Sequence, residues 1–301
     1  MAATDLRTRV RRFYHHARTN WPWTLYQRIG INNLVTNMAL WPEDGETGEP
    51  CRLERKDYQA LLALDVMERF RKFPFVFDKV LEYAASMKML RLTPDSVLLD
   101  AAGGFGEYTA AAKELCGLET VYCLDAVDLP DRGDGVRRLV GGVSNIPLPD
   151  ESVDAISCHH SFEHFQGDGD KDFLAEVGRV LKPGGRAVII PFFLCNRYAE
   201  IRNVLGRKPF DPKAKTVYDP FGTFPGWGPY ERFARVYDAR AFAERLMPAM
   251  DARITVSVHP VLFEGRPCPE MPANAHQPKL NGNLKAMMLV KSRSDERPVG
   301  Q

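Results

Sequence analysis

The stretch Leu98-Leu99-Asp100-Ala101-Ala102-Gly103-Gly104-Phe105-Gly106-Glu107-Tyr108-Thr109 decides the fold. It opens as a short apolar run, turns acidic, passes three glycines and enters a helical pattern. A glycine-rich turn between strand and helix lets backbone approach a ligand closely and aims N–H groups at it. A bare G-x-G-x-x-G is a weak dinucleotide signal, and Thr109 fills the third glycine position. Asp100, at the strand end, is placed to receive a cation, which suits the ammonium of an amino-acid ligand better than a pyrophosphate.

Outward from this turn, β-branched or leucine-rich runs recur at 97–99, 121–124, 138–140, 153–158 and 186–190, with helical patterns after the first and before the last. Strands alternating with helices predict a parallel sheet covered on both faces. A helix is expected over 238–247 and two final strands over 254–258 and 284–290. The fold class is therefore α/β, doubly wound, mostly parallel with an antiparallel last strand.

On the other side, 57–71 and 75–89 read as two helices. Leu6, Val10, Phe13 and Ala17 fall at helical spacing among Arg7, Arg9, Arg11, Arg12 and Arg18, ahead of Trp21, Trp23 and Tyr26. This basic amphipathic pattern suits a cap packed on its own core, with an anionic membrane surface as the alternative. The expected domains are an N-terminal helical cap, 1–90, and a ligand-binding domain, 91–301, with an insertion at about 192–250.

Three further motifs follow in order. Asp125 closes the second strand nineteen residues beyond Gly106, where a carboxylate can accept hydrogen bonds from both ribose hydroxyls. The third strand leads into Gly141-Gly142-Val143-Ser144-Asn145-Ile146-Pro147-Leu148. An amphipathic helix, Phe173 to Leu181, is stopped by Lys182-Pro183-Gly184-Gly185 before the fifth strand.

Over roughly 95–191 these motifs resemble the class I S-adenosylmethionine-dependent methyltransferases, in the branch of the ubiquinone-biosynthesis and small-molecule or sugar O-methyltransferases. The resemblance implies a Rossmann-like sheet and S-adenosyl-L-methionine as cofactor, lined by Asp100, Ala102, Gly104, Gly106, Asp125, Gly142 and Val143. Two positions depart from the pattern. Ala102 stands where the first glycine usually lies, a small loss if its φ is negative, and Gly142 replaces an Asp that often contacts the adenine amine; backbone groups or Asn145 could substitute.

After the fourth strand comes Cys158-His159-His160-Ser161-Phe162-Glu163-His164-Phe165. His160, Glu163 and His164 match H-x-x-E-H, the inverted zincin signature. That motif needs a helical scaffold and a distant third ligand, so the match is read as coincidence and no metal is expected. Position matters more: ligands of doubly wound sheets lie beyond the carboxyl ends of the strands. A hydroxyl loses a proton as it attacks a methyl, and a neutral imidazole is suited to take it. His164 is the first choice of base, with His160 and Glu163 as alternatives or orienting partners; histidines that merely pack are the competing reading.

The aromatic segment 218–230, with Trp227, reads as a lid or an oligomer contact. Between 193 and 250, Arg197, Arg202, Arg207, Lys208, Lys213, Lys215, Arg232, Arg235, Arg240 and Arg245 suit a solvated surface, or an anionic group on the acceptor. Forty Lys and Arg against 39 Asp and Glu give a net charge of +1, no basic field for nucleic acid. Apolar stretches such as 187–195 reach about half of the roughly 20 residues a bilayer span requires. Six scattered cysteines without a C-x-x-C pair suit reduced thiols and a cytoplasmic address. The expected function is methyl transfer to an oxygen of a small molecule, a sugar of a glycoconjugate or natural product among the candidates, with N- or C-methylation or a non-catalytic cofactor-binding partner protein as alternatives; a homo-oligomer is a further expectation.

Overall fold

The computed structural model describes residue 40 and residues 43–71, 76–203, 205–219, 233–268 and 284–293. The basic N-terminal pattern before residue 40, and all but the first two residues of the aromatic segment 218–230, Trp227 included, lie outside the described residues.

Strand β1 (Cys51–Leu53) precedes helix α1 (Arg55–Ala63), a 3₁₀ turn (Asp65–Met67) and the short α2 (Glu68–Arg71). Glu54 and Asp57 form a capping box that starts α1, and Leu64, in extended conformation, stops it. Helix α3 (Val76–Leu90) buries Val80, Leu81, Ala84 and Ala85. The same helix also buries Asp78, Glu82 and Ser86, spaced four residues apart along one stripe.

The α/β core then runs β2 (Leu98–Ala101), α4 (Glu107–Cys116), β3 (Val121–Asp125), β4 (Arg137–Val140), β5 (Val153–His159), α5 (Gly169–Val180) and β6 (Leu181–Ile190). Three strands follow: β7 (Ala199–Arg202), β8 (Lys215–Tyr218) and β9 (Phe233–Val236). Helix α6 (Ala239–Ala241) continues through a π turn (Phe242–Leu246) and a 3₁₀ turn (Met247–Ala249) into β10 (Ile254–Phe263), β11 (Arg266–Pro267) and β12 (Lys285–Lys291).

The main sheet has the order β1-β10-β12-β6-β5-β2-β3-β4, with β11 on β10. Strands β2 to β6 pair in parallel, and β12 runs antiparallel between β6 and β10. The Rossmann-like, mostly parallel sheet with an antiparallel last strand is thus present. Neighbouring residues alternate between its faces: Leu98, Val188 and Met288 pack on the side of α3 and α4, whereas Leu99, Ile189 and Met287 pack on the side of α5. The last strand also closes α5. Lys291, fully buried, donates from Nζ to the carbonyls of Gly178 and Leu181, each at 2.8 Å, where the helix dipole favours a cation.

Two features differ from the sequence reading. Cys51–Leu53, ahead of the two expected helices and inside the expected cap 1–90, is a strand that pairs in parallel with Val261–Phe263 at the sheet edge. Three residues are too few for a period-2 pattern to register. Within the insertion, β7, β8 and β9 form a separate small sheet of order β8-β7-β9. The basic residues expected at its surface are partly inside: Arg235 is 0% and Arg202 3% exposed. Arg235 pairs with Asp170 and Glu200 (2.9 and 3.1 Å), Arg202 with Glu200 (3.1 Å), and Arg245 with Asp170 and Asp211 (2.7 and 2.9 Å). These three cations are charge-paired with the protein's own carboxylates, which removes them as receptors for an anionic acceptor.

Candidate active site

The turn after β2 is built by φ angles that side chains avoid. Gly104 and Gly106 have φ of +57° and +78°, and Ala102 has +55°. Alanine at that position is therefore held in the left-handed region, at a cost of roughly 1–2 kcal/mol, contrary to the expectation of a negative φ. Gly103, absent from the candidates read in the sequence, is fixed by space: a Cβ there would stand 2.4 Å from Asp100 Oδ2 and 2.8 Å from Cys123 Sγ. Gly103→Ala is accordingly expected to displace the turn and abolish measurable cofactor binding in calorimetry while the far-UV spectrum is retained; wild-type affinity would show that the turn tolerates displacement.

Asp100 is 1% exposed and serves the turn from behind. It accepts hydrogen bonds from Ser157 (2.7 Å) and Thr109 (3.3 Å), and His159 Nδ1 lies 3.4 Å away. Asp125 binds the same turn from the next strand, its Oδ2 accepting from the Gly104 N–H and its Oδ1 from the Val127 N–H, both at 3.0 Å. The Gly141 N–H donates to the Asp125 carbonyl at 3.0 Å, which draws the turn after β4 to the end of β3. A Cβ at Gly104 or Gly142 would meet nothing within 4 Å. Open space therefore lies beside both turns, and the nearby apolar residues Phe105, Val127 and Val140 are exposed. Val143 packs against the core beneath. A glycine cradle with space above it fits a ligand approached by backbone N–H groups, whereas Asp100, expected to receive an ammonium, is buried and supports the turn from behind.

Beyond β5 the chain turns sharply at His160, φ +49°, into a 3₁₀ turn of Phe162–His164. Ser161 Oγ donates to the Ala102 carbonyl at 3.3 Å, so this turn touches the glycine turn. The three residues read as catalytic come together. Glu163, 2% exposed, has its Oε1 3.8 Å from His160 Nδ1 and 3.6 Å from His164 Nε2. His164 Nδ1 donates to the Phe233 carbonyl on β9 at 2.7 Å, which leaves Nε2 as the acceptor nitrogen of that ring. His160 Nε2 meets the buried carboxylate of Glu82 on α3, whose other oxygen lies 3.3 Å from Lys79 Nζ. Burial pushes the His160 imidazole below its ordinary pKa, an effect that the charge of Glu82 partly opposes. For Glu82, burial acts upward, but His160 and Lys79 outweigh it and hold the carboxyl low. Among the described residues, no group of three or more His, Cys, Asp or Glu is arranged to hold a metal ion.

Sequence reading missed Glu82, Ser86 and His159, which tie α3 to this edge. The signal available was the stripe Asp78, Glu82, Ser86 on a helix whose neighbouring residues are apolar.

Strand order, glycine turn and second-strand acid define the class I S-adenosylmethionine-dependent methyltransferase domain. Residues 99–189 match the family described as methyltransferase domain. Demethylmenaquinone methyltransferase of Deinococcus radiodurans is 34% identical over 122 residues, 36% of this chain and 48% of its own length. The ubiquinone/menaquinone biosynthesis C-methyltransferase UbiE of Teredinibacter turnerae is 30% identical over 120 residues, 36% and 47% of the two chains. This chain thus spans about half the length of these curated relatives. Among solved structures, the 1,6-didemethyltoxoflavin-N1-methyltransferase of Burkholderia thailandensis, with bound S-adenosylhomocysteine, superimposes on 84% of this chain and 95% of its own at 19% identity and a TM-score of 0.44. S-adenosyl-L-methionine is the cofactor of this domain class. No helix among the described residues is long and apolar enough to cross a membrane.

Proposed function

We propose that the chain methylates an oxygen of a small hydroxylated organic acceptor, with Asp100, Gly104, Gly106, Asp125, Gly142 and Val143 forming the cofactor cleft. The observation that carries this reading is the turn after β5. It touches the glycine turn through Ser161 and sets His164 Nε2, itself buried, beside the carboxylate of Glu163. When bound, S-adenosylmethionine supplies a methyl carbon activated by a sulfonium centre. The chain's residues hold the acceptor hydroxyl in line with that carbon, which is the larger contribution, and His164 Nε2 takes the hydroxyl proton. Glu163, 3.6 Å from Nε2, steadies the positive charge the ring then acquires.

The identity to quinone C-methyltransferases favours a second reading. Removing the proton of a phenolic hydroxyl also raises the nucleophilicity of the adjacent ring carbon, so the same base serves C-methylation. The experiment is incubation with methyl-labelled cofactor and a pool of sugars, phenols and quinols, followed by NMR of the labelled product. An O-methyl product is expected; a ring C-methyl selects the second reading, and retention of label on the protein without transfer would overturn both.

Asp125→Ala should weaken S-adenosylhomocysteine binding by roughly 10- to 150-fold, since hydrogen bonds to a charged group contribute about 1.5–3 kcal/mol. It also releases the Gly104 N–H, so Asp125→Asn should recover part of the loss. Calorimetry giving wild-type affinity for the alanine variant would exclude Asp125 from the cleft.

A further inference from the structure

Glu82 and Ser86 of α3 are both 0% exposed, and each reaches one of two consecutive histidines at the end of β5. Ser86 Oγ lies 2.8 Å from His159 Nε2, and His159 Nδ1 faces Asp100 Oδ1 at 3.4 Å. Because Asp100 accepts hydrogen bonds here, Nδ1 of His159 carries the proton and Nε2 accepts from Ser86. The atom order is that of a hydrolytic triad, but Ser86 is wholly covered by protein and no acyl group reaches it; its consequence is orientation.

At His160 the order is reversed. Nε2 faces the Glu82 carboxylate, so Nε2 carries the proton and Nδ1 keeps its lone pair. His160 Nδ1 is buried without a hydrogen-bond partner, as are both oxygens of Glu163, 3.8 Å away on the nearer side. The backbone of His160 is held in the left-handed region, which non-glycine residues seldom adopt, so its contacts and not its own preference set the ring.

We propose that Glu82 is a positioning residue: it locks His160 as the Nε2–H tautomer, fixes which ring edge lies beside Glu163, and so couples helix α3 to the acceptor edge. The purpose of this lock rests on the methyl-transfer reading, whereas the tautomer itself does not. The charged and titratable groups facing His160 are Glu82 and Lys79 from α3 and Glu163 from the following turn, with His164 beyond it.

The test is long-range ¹H–¹⁵N correlation of the histidine rings in the full chain at neutral pH. The wild type should show opposite tautomers, Nδ1–H for His159 and Nε2–H for His160. Glu82→Leu should mix the tautomers of His160 alone, and Glu82→Gln, whose amide oxygen still accepts, should restore one. In labelled methyl transfer, the leucine variant should lose roughly 10- to 100-fold in kcat at unchanged S-adenosylhomocysteine affinity, with glutamine recovering most of it. A wild-type His160 that is Nδ1–H or mixed overturns the proposal, as does a leucine variant with an unchanged spectrum. Should the leucine variant fail to fold, the wild-type and glutamine spectra decide. Absence of any methyl transfer would instead overturn the functional reading and leave the spectrum to judge the lock.

Discussion

Asp170→Ala is expected to lower folding stability by about 3–5 kcal/mol, the usual consequence of removing one partner from a buried ion pair. Asp170 is 0% exposed and is approached by Arg235 (2.9 Å), by Arg245 (2.7 and 2.9 Å) and by the Tyr237 hydroxyl (2.8 Å). Its loss leaves Arg235, itself fully buried, with Glu200 alone among carboxylates. Arg235 and Arg245 also donate to the Gly167 carbonyl, at 2.9 and 2.8 Å, so the network clasps the segment just after His164. Urea unfolding measures the difference; a loss below about 1 kcal/mol would mean that the network is not a support.

The same carboxylate gives a pH dependence. Burial alone would raise the Asp170 pKa, but the hydrogen bonds of Arg245 and the charge of Arg235 more than offset it and hold the carboxyl below its ordinary range. A group whose folded pKa lies below its unfolded value, about 3.9 for Asp, contributes stability that is complete above the unfolded value and is lost as pH falls through the folded one. Wild-type stability should therefore decline below about pH 4, and Asp170→Ala should flatten that limb.

His164→Ala is expected to lower the rate of methyl transfer by roughly 10²–10⁴-fold at saturating cofactor, the range for a positioned general base. Affinity for S-adenosylhomocysteine should stay within about twofold, because His164 lies on the turn after β5, where it meets Glu163 and the Phe233 carbonyl. His164→Asn retains a donor toward Phe233 but not a basic nitrogen, so it separates anchoring from proton removal: a slow Asn variant supports the base. An alanine variant that keeps most of its rate would show that orientation alone suffices and would move the proton acceptor to His160 or Glu163.

The parallel half of the sheet and its glycine turn are legible in the amino-acid order alone. Short apolar runs set between turns and helical patterns read as strands covered on both faces, so Leu98-Leu99, Val188-Ile189 and Met287-Met288 are legible as buried before any contact is known. Asp100, Gly104, Gly106 and Asp125 are legible because one local turn needs all of them within a short span. Gly103 was as legible in kind but not in reason, since its lack of a Cβ answers to Asp100 and Cys123, the latter on another strand.

Only the tertiary structure decided the rest. Arg235 and Asp170 are 65 positions apart in sequence, and Glu82 and His160 are 78 apart. A buried arginine and a solvated one have the same composition and nearly the same neighbours in sequence; what separates them is whether folding brings a carboxylate close enough to offset desolvation, which is a long-range fact. The tautomers of His159 and His160 follow the same rule. Two adjacent identical residues acquire opposite proton positions because different side chains of one helix, Ser86 and Glu82, meet them at the end of β5.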